Sequence, residues 1–462
     1  MSPTPTERRL FDVRPHERFL AAAMSLYFFL VITSFWILKP LKKTLFIGHY
    51  ADSGFALPGR TFTAAEAELF AKVTNMVVAA GAAVVFALLA RRLRRERLSI
   101  AFTLFFLVAY GGFALALETP SGGAVWSFYL FGDLFSTLMV AAFFAFLNDS
   151  VSSDAAKRLY GIIGFGGVAG GVFGSTAVAT LIGALSLKSW LGVTAGLALL
   201  IMAVAWAAAR ELERGERARG DAARVARGRP DPGANEDAAA PNDGEISDLE
   251  GFGLVFRSRY LLSIAAIVGA YEIVSTLVDF QFTTAVSELA PGPEARDRAF
   301  ATVYATTNWL SSFVQLFLTS LVLRRAGVLV ALLVLPCSIG LASLGFLARP
   351  TLWLGGALSV ADNAFSYSIH QSAKETLYVP TTASEKYQAK AFIDMFVQRL
   401  AKAIGVGLAL AASIGLGGAE HVHWLSLFVL PALVAWGLAA RHAGRHFALL
   451  EARNEGGRDA RD

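Results

Sequence analysis

The sequence predicts an all-α membrane protein with twelve transmembrane helices in two six-helix halves. Hydrophobic residues make up 55% of the 462 residues and charged residues only 17%, against about 25% in ordinary soluble domains. Apolar runs of about 20 residues, long enough to span a bilayer, recur along almost the whole chain. A single soluble core cannot absorb this much apolar surface, whereas a bilayer can.

Twelve apolar runs define the predicted spans. They cover residues 19–47, 67–90, 98–117, 124–147, 159–184, 190–209, 260–287, 299–323, 327–348, 351–378, 391–415 and 422–440. No small-residue cleavage site follows the first run, because Lys39, Pro40 and Lys42 occupy that position. We therefore expect the first run to be a retained helix, not a signal peptide.

The chain divides around a central polar segment. Residues 211–250 contain almost no large apolar side chains and are predicted to form a flexible cytoplasmic linker. The linker separates an N-terminal half, 1–210, from a C-terminal half, 251–445, and residues 446–462 form a tail. Six helices, a long loop and six more helices are the layout of the major facilitator fold.

Basic residues are distributed unevenly between the loops. When the N-terminus is placed inside, the inside segments hold 29 Lys and Arg residues and the outside segments hold 5. This bias predicts cytoplasmic termini, and we expect a bacterial cytoplasmic (inner) membrane. The bias also explains the net charge of +5, so we expect no nucleic-acid partner. We expect the protein to be a monomer.

Five predicted helices each carry their polar residues on one face. In the tenth predicted helix Asp362, Ser366, His370 and Lys374 follow at four-residue steps. Charged side chains at membrane depth usually face a water-filled cavity, and lysine suits phosphate as a compact point charge. The pattern therefore predicts a cavity for a phosphorylated anion.

The predicted substrate-binding residues are cavity lysines, acids, one amide and two aromatic residues. They are Lys39, Lys42, Tyr271, Asp279, Phe282, Asn308, Asp362, Lys374 and Lys402. The acids, Glu272 and Asp394 among them, pair with the lysines in an empty site or bind a coupling proton. For Lys43, Lys72 and Arg399, snorkelling to the membrane interface is an equally open alternative.

The glycine-rich stretch 164–171 does not predict a phosphate-binding loop. It opens an apolar helix and has neither a preceding strand nor a Gly-Lys-Ser sequence, so close helix packing explains it better. The sequence contains no convincing nucleophile–base pair or metal-binding pattern. We therefore expect a transporter without cofactor or metal, not an enzyme.

Four stretches resemble the ATP/ADP translocase-like nucleotide transporters of plastids and intracellular bacteria. They are residues 37–45, 146–148 with 156–160, 277–282, and 374–380 with 390–394 and Lys402. The last stretch is the most specific, because Lys374, Glu375, Tyr378 and Pro380 are similar to the family's K-E-x-x-Y-x-P pattern.

The resemblance implies nucleotide transport of the ATP/ADP exchange or uptake type, by alternating access. It implies binding roles for Lys39, Asp279 and Lys402. The residues expected to act in gating or in structure are Asn148, Lys157, Arg158, Glu375, Lys390 and Asp394.

Some positions depart from the family pattern. Lys43 stands where the family has an acid, and Asp279, Phe282 and Thr283 stand where it has Glu, Trp and Lys. Two alternatives therefore stay open. One is a proton-coupled carrier of another phosphorylated or organic anion, and the other is a non-transporting receptor or scaffold.

The charge bias gives a testable orientation. We expect a membrane-impermeant thiol reagent to label a cysteine placed at Ser121 and to miss one placed at Gly233, in intact cells and without Cys337. The opposite labelling pattern would contradict cytoplasmic termini.

Overall fold

The structure is a computed structural model, and its helices follow the apolar runs of the sequence. It describes residues 14, 17–151, 153–226, 248–382, 388–416 and 419–459. The first helices are α1 (Arg18–Tyr50), α2 (Ala64–Arg92), α3 (Arg95–Ala116), α4 (Gly122–Ser150), α5 (Ser153–Leu181) and α6 (Leu187–Ala226).

Several later helices are divided by π-helical turns. The helices are α7 (Asp248–Arg257), α8 (Arg259–Leu289), α9 (Pro293–Phe313), α10 (Thr319–Arg325), α11 (Gly327–Ala348), α12 (Leu352–Phe365), α13 (Gln371–Thr376), α14 (Lys390–Phe392), α15 (Gln398–Gly415) and α16 (Ser426–Asp459). The π turns Val314–Leu318, Ser366–His370 and Ile393–Val397 join α9 to α10, α12 to α13 and α14 to α15. A 3₁₀ turn, Ala419–Leu425, precedes α16.

Ten helical segments of the described chain are long and apolar enough to cross a membrane. They match all the predicted spans except 299–323 and 351–378. Those two regions are helical, but each contains a π turn and several polar side chains. The prediction of a helical, multi-pass membrane protein is confirmed at this level.

A short β-hairpin lies between α1 and α2 and was not predicted from the sequence. Strands β1 (Phe55–Leu57) and β2 (Arg60–Phe62) pair antiparallel across Pro58 and Gly59. Gly59 has a φ of +88°, which glycine adopts without the steric cost of a Cβ. The all-α prediction therefore missed this connection, because three-residue strands carry no detectable periodicity.

The helices group into two compact units. The first unit comprises residues 1–42 and 77–242, and the second comprises 43–76 and 243–462. The final turns of α1 and the first turns of α2 thus belong to the second unit. Of the predicted linker 211–250, residues 211–226 continue α6, and 227–247 lie outside the described residues.

In the first unit, three glycines allow α5 to approach α1 closely. Gly166, Gly170 and Gly174 are spaced four residues apart on one face of α5. A Cβ at Gly170 would lie 2.4 Å from the carbonyl oxygen of Phe29, and those at Gly166 and Gly174 would meet backbone oxygens of α1 at 2.3 and 2.6 Å. The interpretation of this stretch as a helix-packing surface is confirmed.

In the second unit, α8 is the central helix. It packs against α12, α15 and α16, and it is the most enclosed of the membrane-spanning candidates. Buried side chains of α8 such as Val274 and Val278 join a core that includes Leu335 and Trp436. Because α8 is enclosed, its polar residues face protein more than lipid.

The glycine contact predicts a size limit at the α1–α5 surface. Replacing Gly170 with Leu should destabilise the protein by about 1–3 kcal/mol or more, because the side chain must displace the backbone of α1. Gly196→Leu on α6 is the control, since a Cβ there meets no atom within 4 Å. Thermal unfolding in detergent that is equal for the two variants would contradict the close packing.

Candidate functional site

The first unit holds a lysine cluster, Lys39 and Lys42, in the part of α1 that ends at the unit boundary. Lys42 forms an ion pair with Asp133 of α4, and its Nζ lies 4.3 Å from the ring centroid of Tyr129. The Nζ of Lys39, one turn earlier, lies 4.5 Å from the ring centroid of Trp36. The cluster thus combines two cations, one carboxylate and aromatic faces.

Gly132 makes room for the Lys42 side chain. A Cβ at Gly132 would lie 2.8 Å from Cδ of Lys42. The Lys42 side chain is only 7% exposed, whereas that of Asp133 is 26% exposed. The carboxylate is therefore the more accessible member of the pair.

The second unit holds a closed network of two lysines and two carboxylates. Lys43 of α1 donates to Asp279 of α8 at 3.0 Å and lies 3.3 Å from Glu68 of α2. Lys72 of α2 forms an ion pair with Asp279 and lies 3.8 Å from Glu68. Each lysine contacts both carboxylates, so the formal charges of the four groups cancel.

Polar and aromatic neighbours complete this network. The hydroxyl of Thr283 donates to Glu68 at 3.2 Å, and the Nζ of Lys43 lies 5.4 and 5.8 Å from the ring centroids of Phe300 and Phe282. The four charged side chains are between 3% and 25% exposed. Since removing such charges from water costs several kcal/mol each, the ion pairs are required to hold them there.

The start of α2 is fixed beside the network by a capping box. Glu66 accepts a hydrogen bond from the backbone N–H of Thr63 at 2.8 Å, while the Thr63 hydroxyl accepts from the Glu66 N–H at 3.3 Å. Glu66 also accepts a hydrogen bond from Ser413 of α15 at 2.9 Å. These contacts set the position of Glu68 and Lys72.

A third cluster of polar side chains lies around the middle of α8. Gln398 donates to Glu272 at 2.6 Å, and Ser275 donates to Asp362 at 2.7 Å. Lys374 of α13 and Lys402 of α15 are half-buried. The predicted stripes of the seventh, tenth and eleventh spans therefore meet.

The predicted gating residues lie in local pairs. Lys390 and Glu375 form an ion pair at 2.6 Å, and Lys374 and Asp394 are 3.8 Å apart. In the first unit, Arg158 pairs with Glu17 at 2.7 Å, and Asn148 accepts a hydrogen bond from Tyr160. Lys157 lies in α5, and its side chain is outside the described residues.

The aromatic candidates are packed in the interior. Tyr271 lies against His370 and Trp436, with ring centroids 5.6 and 5.9 Å away. Phe282 is fully buried against Phe300, at 5.4 Å. Their contacts are those of packing residues. Tyr367 of the π turn, by contrast, is exposed.

Asn308 also has a local partner. Its side-chain amide donates to the carbonyl oxygen of Tyr304 on its own helix at 3.0 Å. Its side chain is buried in α9. No group of three His, Cys, Asp or Glu that could hold a metal ion occurs among the described residues.

Sequence reasoning missed three participants: Trp36, Asp133 and Glu68. Asp133 is an acid within an apolar helix, which is itself a signal for a functional site. Glu68 precedes Lys72 by four residues, the spacing of a helical ion pair. For Lys43 and Lys72, the structure favours the buried alternative over snorkelling.

A comparison with known protein families tests the resemblance. Residues 124–350 match the family model described as the TLC ATP/ADP transporter. ADP,ATP carrier protein 2 (chloroplastic) of Arabidopsis thaliana is 21% identical, over 94% of this chain and 75% of the carrier. ADP,ATP carrier protein 1 of Chlamydia muridarum is 25% identical, over 86% and 82%. The predicted resemblance to ATP/ADP translocases is confirmed.

Solved structures share the fold of this translocase-like chain. The nucleoside transporter NupG is 11% identical with a TM-score of 0.63, covering 92% of this chain and 99% of NupG. An auto-inhibited POT family peptide transporter is 15% identical with a TM-score of 0.60, covering 91% and 96%. At these identities the likeness concerns architecture alone, and it supports the helical fold.

The second-unit network gives a prediction about stability. Lys43→Met leaves one lysine with two buried carboxylates and should cost about 3–5 kcal/mol. The double variant Lys43→Met with Glu68→Gln restores neutrality and should regain part of that loss. Arg298→Met serves as the control, because Arg298 and its partner Glu294 are largely exposed. Equal melting temperatures for the single and double network variants would contradict charge balance in the network.

Proposed function

We propose that this chain transports nucleotides of the ATP/ADP type across a membrane, by exchange or uptake. The match to the TLC ATP/ADP transporter model and the likeness to ADP,ATP carriers of Arabidopsis and Chlamydia support this proposal. Twelve spans in two six-helix halves of the major facilitator type would operate by alternating access. In this arrangement the regions 299–323 and 351–378 are two further spans, which bring the ten apolar helices to twelve.

The observation that carries the proposal is the pairing of lysines with carboxylates inside membrane helices. Lys42 pairs with Asp133, and Lys43 and Lys72 pair with Glu68 and Asp279. A carrier of anions needs buried cations, and an empty carrier needs a counter-charge for them. A phosphate chain can replace that counter-charge without leaving a lysine unpaired.

In the first unit, Lys39 and Lys42 are the proposed phosphate ligands. Asp133 is the more exposed member of its pair and would swing away as phosphate arrives. Trp36 and Tyr129 already lie against ammonium groups, so they help to desolvate the phosphate contacts. In the second unit, the proposed phosphate ligands are Lys374 and Lys402. Asp279 and Asp362 are the proposed acids that pair with lysines in the empty site or bind a coupling proton, with Asn308, Tyr271 and Phe282 as supporting residues.

In the second unit, Asp279 is proposed to pair with its lysines and release them in turn. The network joins α8 to the final turns of α1 and the first turns of α2, two helices that begin or end in the other unit. Opening this end of the protein would require the ion pairs to break. Substrate binding would supply the free energy for that step.

The proposed location is the bacterial cytoplasmic membrane, with both termini inside and a monomer as the working unit. The charge bias of the loops supports the orientation. A scaffold without transport is not favoured, because buried ion pairs are weak contributors to stability and a scaffold needs none.

Lys39 tests the proposed phosphate site. Changing Lys39 to Gln should weaken ATP and ADP binding by about 10- to 150-fold, since a charge-assisted hydrogen bond is worth roughly 1.5–3 kcal/mol. Calorimetry on the detergent-solubilised protein would measure this, with adenosine as the ligand that lacks phosphate. The exposed Lys188, which pairs with Glu118 at 2.6 Å, provides the control variant Lys188→Gln. Unchanged ATP binding in Lys39→Gln would overturn the site.

Asp133 should respond in the opposite direction. Asp133→Asn removes the carboxylate that competes with phosphate for Lys42, so ATP should bind at least as tightly as to the parent. The same calorimetric titration measures it. A loss of affinity as large as that in Lys39→Gln would show that Asp133 is not a stand-in for the substrate.

A further inference from the structure

A cavity of about 430 Å³ lies in the first unit, apart from the lysine clusters. It is formed where α2 ends, α3 begins, and α4 and α6 pass their last apolar turns. Four arginines line it: Arg91, Arg92, Arg94 and Arg95. By the loop charge bias, all these helix ends lie on the side of the termini.

Two of the arginines are held in place by the protein. The guanidinium of Arg95 donates to the carbonyl oxygen of Ala90 at 2.7 Å. Arg94 lies 3.7 Å from Glu96 and 3.9 Å from Glu213. These contacts fix the shape of the rim.

The other two arginines are available to a ligand. Arg91 and Arg92 are exposed, and among the described residues no carboxylate lies within 4.0 Å of either guanidinium. Asp149 of α4 also lines the cavity, so its walls are not uniformly basic. The lining still has one more arginine than carboxylates, counting Glu96, Asp149 and Glu213.

The first turn of α3 adds backbone donors to the same wall. The side chain of the capping residue Arg94 makes no hydrogen bond to the first N–H groups of α3. The positive end of the helix dipole reinforces the arginine charges there.

An interfacial tryptophan gives the depth of the cavity. Trp206 of α6 is 49% exposed, and the guanidinium carbon of Arg210 lies 3.6 Å from its ring centroid. Tryptophan and arginine of this kind mark the headgroup level of a bilayer. Ala209 and Leu212 of the same helix line the cavity, so it opens at headgroup depth.

We propose that this arginine pocket binds a phosphate group, supplied by an anionic lipid headgroup or by a soluble phosphate. Guanidinium groups recognise phosphate through two parallel hydrogen bonds, and four of them surround a space large enough for a headgroup. The alternative explanation of these arginines is the usual positive charge of cytoplasmic loops. That charge requires neither a cavity nor arginine in place of lysine, so it predicts a different result from phosphate binding.

The test compares two arginine pairs of equal charge. Arg91→Gln with Arg92→Gln removes the available arginines of the pocket. Arg324→Gln with Arg325→Gln removes the same charge from the end of α10, which does not line this cavity. Calorimetry would measure binding of dihexanoyl phosphatidylglycerol, dihexanoyl phosphatidylcholine and inorganic phosphate to each full-length protein.

We expect phosphatidylglycerol or inorganic phosphate to bind the parent at least about 10-fold more tightly than phosphatidylcholine, because the choline ammonium of phosphatidylcholine offsets its phosphate charge and is repelled by the arginines. The Arg91/Arg92 pair should lose that difference, and the Arg324/Arg325 pair should keep it. Binding that survives Lys39→Gln separates the pocket from the transport site. Phosphatidylglycerol binding alone identifies a lipid site, and phosphate competing with it identifies a soluble ligand.

A charge-preserving variant guards against misfolding. Arg91→Lys with Arg92→Lys keeps the loop charge and loses the guanidinium fork, so it should fold and bind less tightly than the parent. The proposal is overturned if this variant binds as well as the parent or if both glutamine pairs lose affinity equally. It is also overturned if neither phosphatidylglycerol nor inorganic phosphate binds more tightly than phosphatidylcholine.

Discussion

The neutralisation of buried lysines by carboxylates from other helices is the constraint on which the rest of the structure depends. A lysine in a membrane helix is tolerated only with a counter-charge or water nearby. Lys42 finds its counter-charge on α4, while Lys43 and Lys72 find theirs on α2 and α8. The ion pair also constrains helix packing, because residue 132 must be as small as glycine for the Lys42 side chain to reach Asp133.

The same constraint links structure to transport. A buried ion pair contributes little net stability. Its use to a carrier is that another anion can replace the carboxylate as the partner of the lysine. In the proposed mechanism, an arriving phosphate would offer the lysine an equivalent partner and release the carboxylate. Adjacent lysines of α1 serve different units, since Lys42 pairs within the first and Lys43 within the second. One helix therefore carries charge partners for both parts of the protein.

Much of the fold could be predicted from the sequence, because apolar length and loop charge are strong signals in membrane proteins. Ten of the predicted spans have matching helices, and the glycine stretch of α5 packs as expected. The hairpin at Phe55–Phe62 was missed because its strands are too short to show a pattern. For the site, spacing identified the lysines and Asp279, but it could not say which acid neutralises which lysine. Asp133 meets Lys42, and Glu68 meets Lys43, through tertiary contacts, which one sequence does not encode locally.

Uptake of labelled ATP into proteoliposomes is the most direct measurement of whether these lysines serve a phosphorylated solute. The account predicts saturable uptake that unlabelled ADP inhibits and adenosine does not, because the lysines recognise phosphate and not the nucleoside. Uptake that is absent, or that adenosine inhibits as strongly as ADP does, would contradict it.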